Sequence, residues 1–111
     1  MDTKATRTTE HRVTPSDLQK LLAGEGGVDL VPILKDGKQV AMRVVGVQPG
    51  TTAARLGAAN DDTIESINDV PLLSVAAAYQ AADLAIRQSQ IVIRGTRAGE
   101  PYATVLVVEG G

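Results

Sequence analysis

The feature that most constrains this chain is its punctuation. From Val28 onward, short runs rich in β-branched and aliphatic residues alternate with turn-forming pairs at close intervals. Val28 to Leu34 runs into Asp36-Gly37, Val40 to Val47 into Pro49-Gly50, and Thr63 to Ile67 into Asn68-Asp69. Gln90 to Thr96 and Tyr102 to Val108 are joined across Arg97-Ala98-Gly99-Glu100. Such segments read as strands in hairpins, and Asp-Gly at 36 and 37 supplies the positive φ angles of a tight turn. In Thr63-Ile64-Glu65-Ser66-Ile67 the two isoleucines are three apart, so both face inward only if the strand bends between them.

Two main helices interrupt this pattern. Thr14 as cap, Pro15 at the first helical position, Asp17 in the first turn and Gly24 past the end delimit a short helix within residues 13–24, with Leu18, Leu21 and Leu22 on one face. A helix of about ten residues is marginal alone and must dock on the body of the domain. The second begins after Ser74 and runs from Val75 to about Arg87, with Val75, Ala78, Tyr79, Ala82, Ala85 and Ile86 at helical spacing. Its apolar face is mostly alanine, so it either sits close to a sheet or leaves a shallow channel. Thr52 to Gly57 reads as one helical turn stopped by glycine. Residues 1–12 carry almost nothing that can pack and are expected to form a flexible lead-in.

Composition narrows the function classes. The 111 residues are 43% hydrophobic and 22% charged, which fits one domain that buries roughly two thirds of its unfolded surface. Phe, Trp and Cys are absent and Tyr occurs twice, so the core is aliphatic. A net charge of -2 and the lack of base-stacking aromatics give no footprint for nucleic acid. Without cysteine and with His11 alone, disulfides, thiol catalysis and zinc sites built from cysteine or histidine are excluded. No apolar run approaches the length of a membrane span, and Met1-Asp2-Thr3-Lys4 does not open a secretory signal.

An inventory of chemistry leaves little for catalysis. His11 falls in the expected lead-in, with nothing to orient it. Asp61-Asp62 lacks the alternating oxygen ligands and closing glutamate of a calcium loop and reads as a turn. Ser66 and Ser74 have no lysine near in sequence, and Gly26-Gly27 and Gly110-Gly111 do not join a strand to a helix as phosphate loops do. No catalytic residue, metal site or cofactor is expected. What remains is a recognition surface: a strand near Val40 and a helix from Val75 can flank a groove, with a strand edge free to take an extended peptide.

The segments "VQPGTTAARLGAANDDTIESINDVPL" and "QIVIRGTRAGEPYATVLVV" resemble bacterial PDZ domains, whose pattern runs hydrophobic-x-Pro-Gly, small residues, Leu-Gly-Leu, x-Gly-Asp and Ile-x-x-Ile-Asn-Gly. Val47, Pro49, Gly50, Ala53, Ala54, Leu56, Gly57, Asp62, Ile64, Ile67, Asn68, Pro71 and Leu72 match it; Asp61 and Asp69 stand where the pattern has glycine, and Ala58 stands for leucine. The match spans 28–109. Upstream, Leu30-Val31-Pro32, Asp36-Gly37-Lys38 and Gln48-Pro49-Gly50 resemble the C-terminal periplasmic domain of the inner-membrane protein C of type II secretion systems.

The resemblance implies a mainly β fold with two main helices (α+β), a PDZ-like, partly open barrel or sandwich capped by helices. It also implies a non-enzymatic module that binds exported proteins, the secretin or other secretion components. It places the domain in the periplasm, tethered by an inner-membrane anchor outside this chain, without membrane insertion of its own and with weak homo-oligomerisation left open. The implied peptide-binding residues are Val40, Ala41, Met42, Arg43, Val44 and Val45 on the groove strand and Val75, Tyr79 and Ala82 on the helix. Ala41 stands where the carboxylate-binding loop of these domains has glycine, and its methyl group opposes close approach of a terminal carboxylate there. Two other readings are the regulatory PDZ domain of a periplasmic serine protease and a spacer or oligomer contact without ligand.

Overall fold

The computed structural model describes residues 6–22 and 27–109. In chain order these form β1 (Arg7–Val13), α1 (Pro15–Leu22), β2 (Asp29–Lys35), β3 (Lys38–Val45), α2 (Thr52–Arg55), β4 (Thr63–Ile67), β5 (Val70–Pro71), α3 (Val75–Ala85), β6 (Gln90–Arg97) and β7 (Glu100–Val108). Three two-residue turns close the hairpins with both central residues at positive φ: Asp36-Gly37 at 53° and 77°, Asn68-Asp69 at 47° and 68°, Ala98-Gly99 at 53° and 77°. These signs match the right-handed twist of the flanking strands, and aspartate and asparagine tolerate them better than other non-glycine residues. Asp61, also in place of a glycine, sits at φ 71°.

The strands make one seven-stranded sheet in the order β1-β7-β6-β4-β3-β2, with β5 beside β4, and it does not close into a barrel. All pairs are antiparallel except β1 with β7, which is parallel from Arg7↔Tyr102 to Val13↔Val108. The bend expected in β4 is a register shift between Ile64 and Ser66, which lets Ile64 and Ile67 both pack inward. Gly95 of β6 lies so close to β4 that a Cβ there would fall 1.8 Å from the Thr63 carbonyl oxygen, so only glycine permits this pairing.

Two aliphatic clusters form the core. One joins Val13, Leu18, Leu56, Ala85, Ile91 and Leu106; the other joins Met42, Leu72, Ala78 and Ala81 under α3. Leu72 is fully buried, and Ile67 touches both clusters. Helix α1 docks through Leu18 and Leu21, as its stripe requires. Its expected stop at Gly24 and the packing of Leu22 lie outside what is described.

Two expectations change. Residues 7–12 are not a free lead-in: they pair along β7, and Val13, assigned to the first helix by pattern, ends that strand with 1% of its surface exposed. A seven-residue segment with one apolar residue carries no alternation signal, because the parallel ladder holds it by its backbone. Residues 1–5 lie outside the described range. Helix α3 stops at Ala85, two residues before Arg87.

Removing residues 1–12 is expected to expose the outer edge of β7, speed amide exchange along Ala103 to Val107 and lower the melting temperature. Exchange unchanged from the full chain would show that β1 contributes nothing to the ladder.

At the start of α1, the Thr14 hydroxyl accepts the Asp17 N–H at 3.1 Å and the Asp17 carboxylate accepts the Thr14 N–H at 3.2 Å, a reciprocal capping box. Arg55 of α2 donates to the same carboxylate at 3.0 Å. The Thr14 N–H, aided by Arg55, holds the Asp17 pKa below its ordinary value of 3.8. A carboxylate depressed in the folded state adds stability above its unfolded pKa and loses it as pH falls through the folded one. In urea titrations from about pH 4 to pH 2, the native chain is therefore expected to lose more stability than Asp17→Asn.

Candidate functional site

Antiparallel alternation decides which strand offers a free edge. Strand β3 is paired on both sides, with β2 along its length and with β4 at Met42 and Arg43. The Val44 N–H donates to the Asp62 carbonyl at 2.8 Å, and the Val44 carbonyl accepts the Asp61 N–H at 2.8 Å. The main chain of Val44 thus faces β4, and that of Met42, two residues earlier, faces the same way. Their partners on β2 are Leu30 and Pro32. Directly opposed residues either exchange hydrogen bonds or both turn away, so Leu30 and Pro32 direct their main-chain groups to the open side. Among the described residues, β2 has no neighbour there.

Side chains of opposed residues share a face of the sheet, so Leu30 and Pro32 lie on the face of buried Met42 and Val44, the face that α3 covers. Between the start of β2 and α3 an apolar hollow of about 380 Å³ opens. Val28, Asp29 and Leu30 line one side of its mouth, Val75, Tyr79 and Ala82 the other, and it continues inward over Met42, Val44 and Ile64. Its depth follows from the helix sequence: Ala78, Ala81 and Ala85 are the buried residues of α3, and three methyl groups leave much of the space beneath unfilled. Ser74 caps α3 by accepting the Ala77 N–H at 2.9 Å and fixes where its first turn, with Val75, begins.

The floor is held by a polar clamp. Asp62, the buried charged residue of the described core, accepts from Arg97 Nε at 2.9 Å through Oδ1 and from an Arg97 terminal nitrogen at 2.6 Å through Oδ2. Arg97 also donates to the Gly57 carbonyl and the Tyr102 hydroxyl, and stacks 4.0 Å from the Tyr102 ring centre. The Tyr102 hydroxyl in turn meets Thr9 of β1 at 3.2 Å. The two-pronged contact with Asp62 raises the Arg97 pKa above its ordinary value, which keeps the guanidinium charged. One arginine thereby ties β1, β6, β7 and the α2–β4 loop together.

The sequence-predicted residues divide. Val75, Tyr79 and Ala82 line the mouth of the hollow, with Val75 42% and Tyr79 63% exposed. Val40 to Val45 do not form the open edge: they are β3, an interior strand whose backbone is already engaged on β2, and the edge lies one strand further out. Met42 and Val44 contribute side chains to the lining, whereas Arg43 is exposed on the other face and Val45 pairs with Asp29. Ala41, expected in a loop, is 5% exposed in mid-strand. The register passes from Ile33↔Ala41 to Leu34↔Gln39, leaving Val40 as the extra residue of a bulge. Leu30 and Pro32 were missed, although a signal existed: proline is confined to edge strands, so Pro32 marked β2 as the edge.

His11 is held in β1 beside Gly57, where an added Cβ would lie 2.9 Å from its ring nitrogen Nε2. Among the described residues no three His, Cys, Asp or Glu side chains cluster as metal ligands, and no helix is long and apolar enough to cross a membrane.

No protein-family model matches the sequence, and no curated protein matches it either. Solved structures do. The PDZ domain of the pullulanase C protein of the type II secretion system from Klebsiella pneumoniae, in complex with a fatty acid, has a TM-score of 0.59 at 19% identity over 80% of this chain and 89% of that one. The PDZ domain of EpsC from Vibrio cholerae has a TM-score of 0.59 at 15% identity over 80% and 82% of the two chains. A shorter form of the EpsC domain gives 0.57 at 15% over 74% and 94%. This chain has a PDZ fold. Within that fold the hollow lies between an edge strand and the helix after the Asn68-Asp69 turn, and β1 extends the sheet at its far end.

Arg97→Met keeps the stem and removes the donors, leaving Asp62 buried with the Ala59 N–H alone of its side-chain partners. Because Arg97 is about a third exposed, we expect a loss of about 1–3 kcal/mol in urea unfolding. An unchanged midpoint would show that solvent replaces the clamp.

Proposed function

We propose that this PDZ domain is a non-enzymatic interaction module of a type II secretion machinery that takes an extended segment of a partner polypeptide along β2, beneath α3. The observation that carries this reading is the open edge of β2: its outward main-chain groups at Leu30 lie beside an apolar hollow, the arrangement that β-strand addition uses. The upstream motif Leu30-Val31-Pro32 with Asp36-Gly37-Lys38, and the likeness in fold to two domains of secretion protein C, support the machinery. Exported proteins, the secretin and other secretion components are the partners, met in the periplasm with the domain tethered to the inner membrane by a segment outside this chain. Micromolar affinity, about 8 kcal/mol, suits such a transient contact.

Capture from the periplasm of a type II-secreting bacterium, with bound proteins identified by mass spectrometry, tests this. The native domain is expected to retain exported proteins or secretin, and Leu30→Asp and Val75→Asp to lose them. Leu84→Asp, exposed on α3 away from the hollow, is expected to retain them. Equal capture by all four would place the contact elsewhere, and capture of neither class would remove the secretion reading.

The hollow itself favours a second reading, an aliphatic ligand, since its lining is apolar and the Klebsiella domain was solved with a fatty acid. Decanoate titrated into labelled protein is then expected to shift the amides of Met42, Ala78 and Ala82. Shifts confined to exposed surface residues would exclude it.

A further inference from the structure

Resting on the groove reading above, we infer that Pro32 ends the main-chain ladder available to a docked segment, so that a bulky apolar side chain in the hollow, rather than the length of the paired strand, sets affinity. Three observations converge. The outward-facing positions of β2 include Leu30 and Pro32, as the pairing with Val44 and Met42 requires. Leu30 offers an N–H and a C=O, whereas Pro32 has no N–H and offers a carbonyl alone. A partner strand therefore finds a full pair of hydrogen bonds at Leu30, one acceptor at Pro32, and then the stretch where the β2–β3 register shifts at Ile33/Leu34. The hollow stops at the same place: Val28, Asp29 and Leu30 line it, and the remainder of β2 does not.

The chemistry of the edge shows why such a stop is needed. Leu30, Val31 and Leu34 are 42%, 40% and 65% exposed on a strand with one open edge, a combination that invites indiscriminate pairing with other chains. Because its nitrogen points outward, Pro32 costs the fold no internal ladder bond while blocking that pairing. With the ladder cut short, discrimination passes to the hollow. Its volume of about 380 Å³ lies over alanines in a protein with no Phe or Trp of its own, and no lysine or arginine lines it. The occupant is thus an extended segment carrying one large uncharged apolar side chain, aromatic included.

Two capped heptapeptides test this by amide shift titration of labelled protein: acetyl-Thr-Val-Thr-Phe-Thr-Val-Thr-amide and its analogue with alanine for phenylalanine. The first is expected to shift Leu30, Ala78 and Tyr79 and to bind at least fivefold more tightly than the second. Pro32→Val restores the outward N–H and is expected to tighten both peptides about fivefold, the worth of one net hydrogen bond. Leu30→Pro removes an N–H that the fold does not use and is expected to keep a dispersed spectrum while weakening the phenylalanine peptide about fivefold, the worth of that one bond. Should that variant not fold, the phenylalanine peptide methylated on one backbone nitrogen at a time carries the same test. Weakening at alternate residues alone supports the ladder, and indifference at every position overturns it. If both peptides shift the groove but bind equally, or Pro32→Val changes neither, the inference falls and the groove stands. Absence of any shift at the groove with either peptide removes the groove reading itself.

Discussion

The main-chain contact of Val44 with Asp61 and Asp62 sets the orientation on which the site depends. It turns one alternate row of β3 toward β4, and antiparallel pairing then turns Leu30 and Pro32 of β2 toward solvent. That contact sits in a loop with Asp61 in the left-handed region, and Arg97 holds the loop by gripping Asp62 with two hydrogen bonds. A charge pair at the base of the hollow thus governs which backbone groups are offered at its rim, although neither Asp62 nor Arg97 stands at that rim.

The absence of large aromatic side chains from the core has a second consequence. Leucine, isoleucine and valine fill the cluster around Leu106 and Val13, but beneath α3 the helix contributes alanine methyls and Met42 is the large flexible side chain opposite. Alanine keeps the helix stable at low side-chain entropy cost and leaves unfilled space under it. The hollow is a product of that choice, at the expense of packing that bulkier residues would have supplied.

The ends of the sheet are treated differently. At one end β1 covers β7 and presents Thr, Glu, His and Arg, residues that discourage further pairing. At the other end β2 presents leucine and valine and is restrained by a single proline. The contrast explains why the apolar end, and not the polar one, has the character of a recognition edge.

Local chemistry was legible in the sequence because it acts between near neighbours. Turn pairs at 36–37, 68–69 and 98–99, the caps at Thr14 and Ser74 and the bend in β4 follow from φ preferences and alternation within a few residues. Helical spacing put Val75, Tyr79 and Ala82 on one apolar face together with Ala78 and Ala85, and the resemblance to PDZ domains singled out the three. The pairing partners of each strand were not. Whether β2 or β3 lies at the edge, and whether residues 7–12 join the sheet, depends on contacts between segments up to 95 positions apart, as in Arg7↔Tyr102. The grip of Arg97 on Asp62 spans 35 positions with no periodic signal. The sequence by itself determined most of the elements, their turns and an aliphatic, alanine-faced core. Only the tertiary structure decided which backbone row was left without a partner, because a hydrogen-bonding edge is defined by what fails to pair with it.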